Sequence, residues 1–171
     1  FSDILIRDIR DFEWLKDAYA RGTDEDRERM LSDLRTEMRA FNVHEHRMAA
    51  LRRFKNREML RIGFADIVRD EPLESVTADI SNLADATLQI SYEICLERMR
   101  QKYGSPMNQD GTDASMCILA MGKLGGRELN YSSDIDLVYI FSEAGKFAPA
   151  AETEAIDNQS FFDRLAEDIT R

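Results

Sequence analysis

An α+β fold is predicted for this chain of 171 residues, mostly helical over residues 1–104 and carrying a small sheet in its last third. Three observations predict it. Apolar residues recur in steps of three and four through most of the first part, the period of an amphipathic helix. Two short apolar runs, Met116–Ala120 and Ile135–Phe141, are bounded by turn residues and read as buried strands. A glycine-bearing connection, Met121–Asp134, joins the two runs. The expected division is a helical region 1–104, a loop 105–115 and an α/β core 116–171.

Residues 1–20 mix Ile4, Leu5, Ile6, Ile9, Phe12, Trp14, Leu15 and Tyr19 with charged residues, which predicts a helix closed by Gly22. Thr23 and Asp24 can cap a second helix whose apolar face is Leu31, Leu34, Met38 and Phe41. His44 and His46, the only histidines, fit a turn or helix start better than a metal site. Residues 47–69 predict a third helix, rich in base: Arg47, Arg52, Arg53, Lys55, Arg57 and Arg61. Two readings of that charge stay open. It forms a solvated or internally paired face, or it meets phosphate or an acidic partner.

Pro72 is tolerated in a first helical turn. After it Leu73, Val76, Ile80, Leu83, Thr87, Ile90 and Ile94 give the clearest periodicity in the chain, a long core helix ending near Tyr103 and Gly104. Residues 105–115, with Pro106, Asn108 and Gly111, read as an exposed loop. Residues 143–157 are again loop-like and are expected to form a flap near the site. Asn158–Arg171 resumes helical spacing through Phe161, Phe162, Leu165 and Ile169.

The net charge of −10 disfavours a nucleic-acid binder, which is expected to be basic. No apolar segment is long enough to span a membrane, and no signal peptide is visible. Cys95 and Cys117 lie in apolar sequence and are expected to be buried and reduced, as in cytoplasm. The chain opens on Phe1 and closes on Arg171 inside a helical pattern, so a piece of a longer chain is expected.

The chemistry concentrates in Met121–Leu137. Side chains at i and i+2 of a strand share a face, so Asp134 and Asp136 are expected side by side at the start of the second strand. Two such carboxylates repel unless a cation lies between them. Hard oxygen ligands suit magnesium or manganese, commonly held by one or two carboxylates plus substrate phosphates. Gly122, Gly125 and Gly126 permit positive φ or close approach of a ligand, and Ser132 and Ser133 add hydroxyl donors. These are the parts of a phosphoryl- or nucleotidyl-transfer site. An Asp-x-Asp pair alone also occurs on strand edges and in turns, and Gly-x-x-Gly-Gly is neither of the common phosphate-binding fingerprints. Residues 137–141 are apolar on both faces, which predicts a central strand, where paired acids are costly without a partner.

The stretch Gly122-Lys123-Leu124-Gly125-Gly126-Arg127-Glu128-Leu129-Asn130-Tyr131-Ser132-Ser133-Asp134-Ile135-Asp136-Leu137 resembles, almost residue for residue, the glutamine synthetase adenylyltransferases of the nucleotidyltransferase superfamily. Weaker similarity runs through Leu51-Arg52-Arg53-Phe54-Lys55-Asn56-Arg57-Glu58 and Asp157-Asn158-Gln159-Ser160-Phe161-Phe162. The resemblance implies a nucleotidyltransferase-type mixed sheet with flanking helices, incomplete here because the superfamily's third carboxylate comes from a later strand. It implies Asp134 and Asp136 as catalytic, metal-holding residues, and Gly125, Gly126 and Ser133 as phosphate contacts, with charge from Lys123 and Arg127. Magnesium or manganese, ATP or ADP, and phosphate are the implied cofactors and substrates.

Members of the family attach AMP to a tyrosine of glutamine synthetase with one domain and remove it by phosphorolysis with another, giving ADP. A PII-type signalling protein and glutamine set the direction. The stretches above look more like the N-terminal, AMP-removing half. The alternatives are the AMP-adding half, another metal-dependent nucleotidyltransferase, and a non-catalytic docking module for glutamine synthetase.

Overall fold

Helix propensity and a single apolar stripe account for the elements of the first part. The computed structural model describes residues 14–15, 27–144 and 156–170. Helix α1, Arg27–Met38, buries Met30, Leu31, Leu34 and Met38 and packs on α2, His44–Arg69. The stripe of α2 runs Leu51, Phe54, Glu58, Arg61 and Ala65, steps of three and four that keep one face inward. His44 and His46 stand at its first turn, the His46 ring edge-on to Phe41. The helix stops at Asp70, whose left-handed backbone, φ 55°, cannot continue it.

Pro72 lies just before α3, Leu73–Tyr103, and its carbonyl accepts the Ser75 and Val76 amides. Val76, Ile80, Leu83, Ile90 and Ile94 are buried as expected of this helix, with Ala86 beside them, whereas Leu73 is exposed and Thr87 half-buried. Gly104, at φ 89°, ends it by donating to the Arg100 carbonyl, a conformation that costs glycine little.

A loop folded back on itself follows, with a bridge between Met107 and Asp113. Strands β1, Met116–Met121, and β2, Asp136–Phe141, pair antiparallel in the register Met116 with Phe141 through Met121 with Asp136. Between them lies one helical turn, α4, Gly122–Gly125. The last helix, α5, is Asn158–Thr170. Asp157 accepts the Ser160 amide at 2.7 Å and caps it.

The chain forms two compact units, Phe1–Ile90 with Gly122–Asp134, and Ser91–Met121 with Ile135–Arg171. The core of the first is the α1, α2 and α3 stripes. The core of the second joins α5 to the inner sheet face: Phe162 stacks on Phe141 at 5.2 Å, and Phe161 meets Phe162 edge-on. Arg98 pairs with Asp168, and Arg164 donates to the Tyr103 hydroxyl at 2.7 Å. Asn158 is fully buried, its amide donating to the Met107 and Glu143 carbonyls at 2.9 and 3.0 Å.

Mixed helix and a small sheet match the expected α+β class. Three expectations are corrected. Among the described residues the sheet has two strands, so β2 is not a central strand. Its outer face, Cys117, Leu119, Met121, Val138 and Ile140, is exposed, with Ile140 at 51%. Cys117 is therefore exposed rather than buried, while Cys95 is buried, and both are free thiols. Period-2 geometry gave both strands an apolar side on each face, and only the side toward α5 is covered. The first helix and the flap fall on residues 1–20 and 143–157, nearly all outside the described residues. Among the described residues no helix is long and apolar enough to cross a membrane.

Candidate functional site

The glycine-bearing connection is built by its own backbone hydrogen bonds. Gly122 leaves β1 at φ 56° and starts the turn α4. Gly126 donates to the Gly122 carbonyl at 3.0 Å, Arg127 to Leu124 at 3.1 Å and Glu128 to Lys123 at 2.8 Å. The last two bonds are the six-to-one and five-to-two pair of a helix C-terminal Schellman turn. The left-handed position of that turn, usually glycine, is Arg127 at φ 59°. Neither Gly125 nor Gly126 has positive φ, so of the three glycines only Gly122 uses that freedom.

A β-carbon at Gly126 would meet the Gly122 carbonyl oxygen at 3.5 Å, an ordinary contact. Gly126→Ala is therefore expected to keep or raise thermal stability, by up to about 0.4–1 kcal/mol, because alanine restricts the unfolded chain. Thermal melting checks this. A loss of activity in that stable variant would assign the glycine to close approach of a ligand.

After Arg127 the chain is tied down at every second residue. The Arg127 guanidinium donates to Asn82 Oδ1 at 2.5 Å, the Leu129 amide to Ser81 Oγ at 3.2 Å, and the Tyr131 hydroxyl to Asp66 Oδ2 at 2.9 Å. Burial, then the Asp66 carboxylate, hold the Tyr131 phenol above its usual range. Leu129 is buried between these ties. Asn130 then opens a turn: its side-chain oxygen accepts the Ser133 hydroxyl at 2.7 Å and the Ser132 amide at 3.2 Å. Lys123 is exposed, with no ion pair among the described residues.

Asp134 closes this unit and is exposed, with no hydrogen-bond or ion-pair partner among the described residues. In the other unit Asp136 is the first residue of β2, opposite Met121, and is likewise exposed and without a partner there. The strand was expected to carry both acids. It carries Asp136 alone, because Gly122 turns away after Met121 and leaves no ladder partner for residues 134 and 135. Among the described residues no group of three or more His, Cys, Asp or Glu side chains stands together as a metal site. The later acids are used elsewhere: Asp157 caps α5, Asp163 accepts from Gln159 at 2.8 Å, and Asp168 pairs with Arg98.

Of the bases on α2 only Arg61 is buried, Arg47 and Arg57 are half-buried, and Arg52, Arg53 and Lys55 are exposed. Arg57 pairs with Glu37 at 2.9 Å, Arg61 with Glu58 at 2.7 Å and with Asp79 at 3.3 Å, and Arg53 lies over the Phe41 ring. Sequence reasoning missed Ser81, Asn82 and Asp66. The one signal was two adjacent polar residues between Ile80 and Leu83, which solvated helix positions also give.

The family model for glutamate-ammonia ligase adenylyltransferase (GlnE) matches residues 1–171. A bifunctional glutamine synthetase adenylyltransferase/adenylyl-removing enzyme of Shewanella oneidensis is 35% identical over 168 residues, 97% of this chain and 17% of that protein. Proteins of the same description from Shewanella frigidimarina and Pseudomonas putida are 41% and 43% identical, each over about 70% of this chain and 12% of their own length. The chain thus spans well under a fifth of these relatives. With the whole chain matched by one model, it belongs to the glutamate-ammonia ligase adenylyltransferase family.

Proposed function

We propose that this chain supplies part of a nucleotidyl-transfer site that acts on glutamine synthetase, in the direction that removes AMP from a modified tyrosine. The observation that carries the reading is the pair Asp134 and Asp136, exposed and unpartnered among the described residues, directly after the glycine turn of a family member. Phosphate oxygen would attack the α-phosphorus, the bond to the tyrosine oxygen would break, and the products would be ADP and tyrosine, the leaving oxygen taking a proton.

The donor set fits a hard divalent cation, magnesium or manganese, that takes its remaining oxygens from water and phosphate. Such a cation would offset charge on the attacking and leaving oxygens. Asp134 and Asp136 would hold it, and Lys123 would meet phosphate as an exposed point charge. Gly125 and Gly126 would let phosphate approach the turn. Ser133 and Arg127 would contact phosphate only by exchanging their present bonds to Asn130 and Asn82. The AMP-removing direction rests on the form of residues 51–58, 130–136 and 157–162, and a PII-type protein is the regulator that the same resemblance implies.

The test uses the natural full-length polypeptide. It is incubated with adenylylated glutamine synthetase plus phosphate, and separately with unmodified synthetase plus ATP, each with magnesium or manganese and with Asp134→Asn as control. Phosphate-dependent ADP release, lost in the variant, is the expected result. Loss of labelling from ATP in the variant, with ADP release kept, would assign the AMP-adding direction. Both activities kept in the folded variant would leave a docking module.

A further inference from the structure

The segment that ends on Asp134 is held by α2 and α3 through Asp66, Ser81 and Asn82. The Arg127 side chain, the Leu129 backbone amide and the Tyr131 side chain each place one donor on a helix: on Asn82, Ser81 and Asp66. Ser81 is 1% exposed and Asn82 8%, within the apolar stripe of α3. Two polar side chains in that stripe are costly unless bonded. Ser81 is bonded twice, donating to the Thr77 carbonyl at 2.7 Å and accepting from Leu129. That fixes its lone pair toward the segment.

Arg127 adds an independent observation. It occupies the left-handed position of the Schellman turn, where glycine would carry no strain. Backbone strain of this kind persists where the surroundings over-determine it, and it clusters at functional sites. Here the arginine side chain reaches Asn82, which no glycine could do.

We propose that Ser81 and Asn82 of α3 are positioning residues for nucleotidyl transfer: they lock the Arg127–Asp134 segment and so place the Asp134 carboxylate, touching no substrate themselves. The inference rests on the reading of Asp134 and Asp136 as the transfer site. A lock of this kind acts on kcat more than on KM, because Lys123, Gly125 and Gly126 lie ahead of the locked segment and are untouched while the reacting geometry loosens.

The test compares the full-length wild type with Asn82→Ala, Ser81→Ala and Asn82→Asp, the last keeping an acceptor for Arg127. Each is measured for AMP transfer, thermal melting and hydrogen exchange of the Leu129 amide. The two alanine variants are expected to melt as the wild type does, to exchange Leu129 faster and to lose about 10- to 100-fold in kcat, with the KM for adenylylated glutamine synthetase within about twofold. Asn82→Asp is expected to restore most of kcat. Faster exchange with unchanged kcat, or unchanged exchange, would overturn the positioning role while leaving the site intact. Loss of kcat in proportion to loss of folded protein, without rescue by Asn82→Asp, would also overturn it. An inactive wild type with normal protection at Leu129 would instead overturn the reading of the site, and the positioning role with it.

Discussion

Asp136→Asn is expected to lower phosphate-dependent AMP removal by the full-length polypeptide by at least about 10²–10³-fold, or about 3–4 kcal/mol of transition-state stabilisation. The variant keeps the size of the side chain and removes its charge. Asp136 is exposed at the first position of β2, and no described residue bonds to its carboxylate. Stability should therefore stay within about 0.5 kcal/mol, as for other surface substitutions. The two effects separate: a carboxylate there for solubility would change neither quantity. Steady-state kinetics at saturating metal and phosphate, with thermal melting alongside, checks both. Asp134→Asn should behave alike, since Asp134 is equally exposed and without a partner among the described residues.

Arg61→Met is the corresponding prediction for the helices that hold the segment. The Arg61 guanidinium donates to Glu58 at 2.7 Å and to Asp79 at 3.4 and 3.3 Å, and both Arg61 and Glu58 are almost wholly buried. Taking away one member of a buried pair leaves the other charge in a medium that solvates it poorly, a loss of about 3–5 kcal/mol. Replacing Glu58 by leucine in the same protein should recover much of that loss, because an apolar pair of similar volume has no desolvation penalty. Denaturant unfolding of the single and double variants measures the difference. A single variant as stable as the wild type would mean that the buried ionic group contributes nothing to this helix pair.

The sequence made the helices legible and left their polar contacts hidden. The period of α3 could be read to within a residue of both ends, because its apolar stripe is regular and Pro72 and Gly104 mark its limits. The Glu58 and Arg61 spacing also allowed an ion pair on one face of α2, yet nothing in it told that the face is buried. The two strands were found where their apolar runs lie. An apolar run carries no record of how many sides are covered, so the exposed face of Cys117 and Ile140 could not be foreseen.

At the site, residue types were legible and backbone was not. Three glycines suggested where positive φ would fall, and it falls on Gly122 but on Arg127 rather than on Gly125 or Gly126. That choice depends on the Asn82 acceptor, which lies 45 residues away in sequence and shows itself only when α3 is packed against the segment. The strand limit at Asp136 likewise follows from where the partner strand ends, at Met121.

The most direct test of the central claim is manganese binding by the full-length polypeptide, followed by electron paramagnetic resonance with and without ADP. If Asp134 and Asp136 hold the cation, the wild type should bind it more tightly when ADP is present. The variant Asp134→Asn combined with Asp136→Asn should bind fewer manganese ions per chain while melting as the wild type does. Equal manganese binding by the wild type and the folded double variant would contradict the assignment of these two carboxylates.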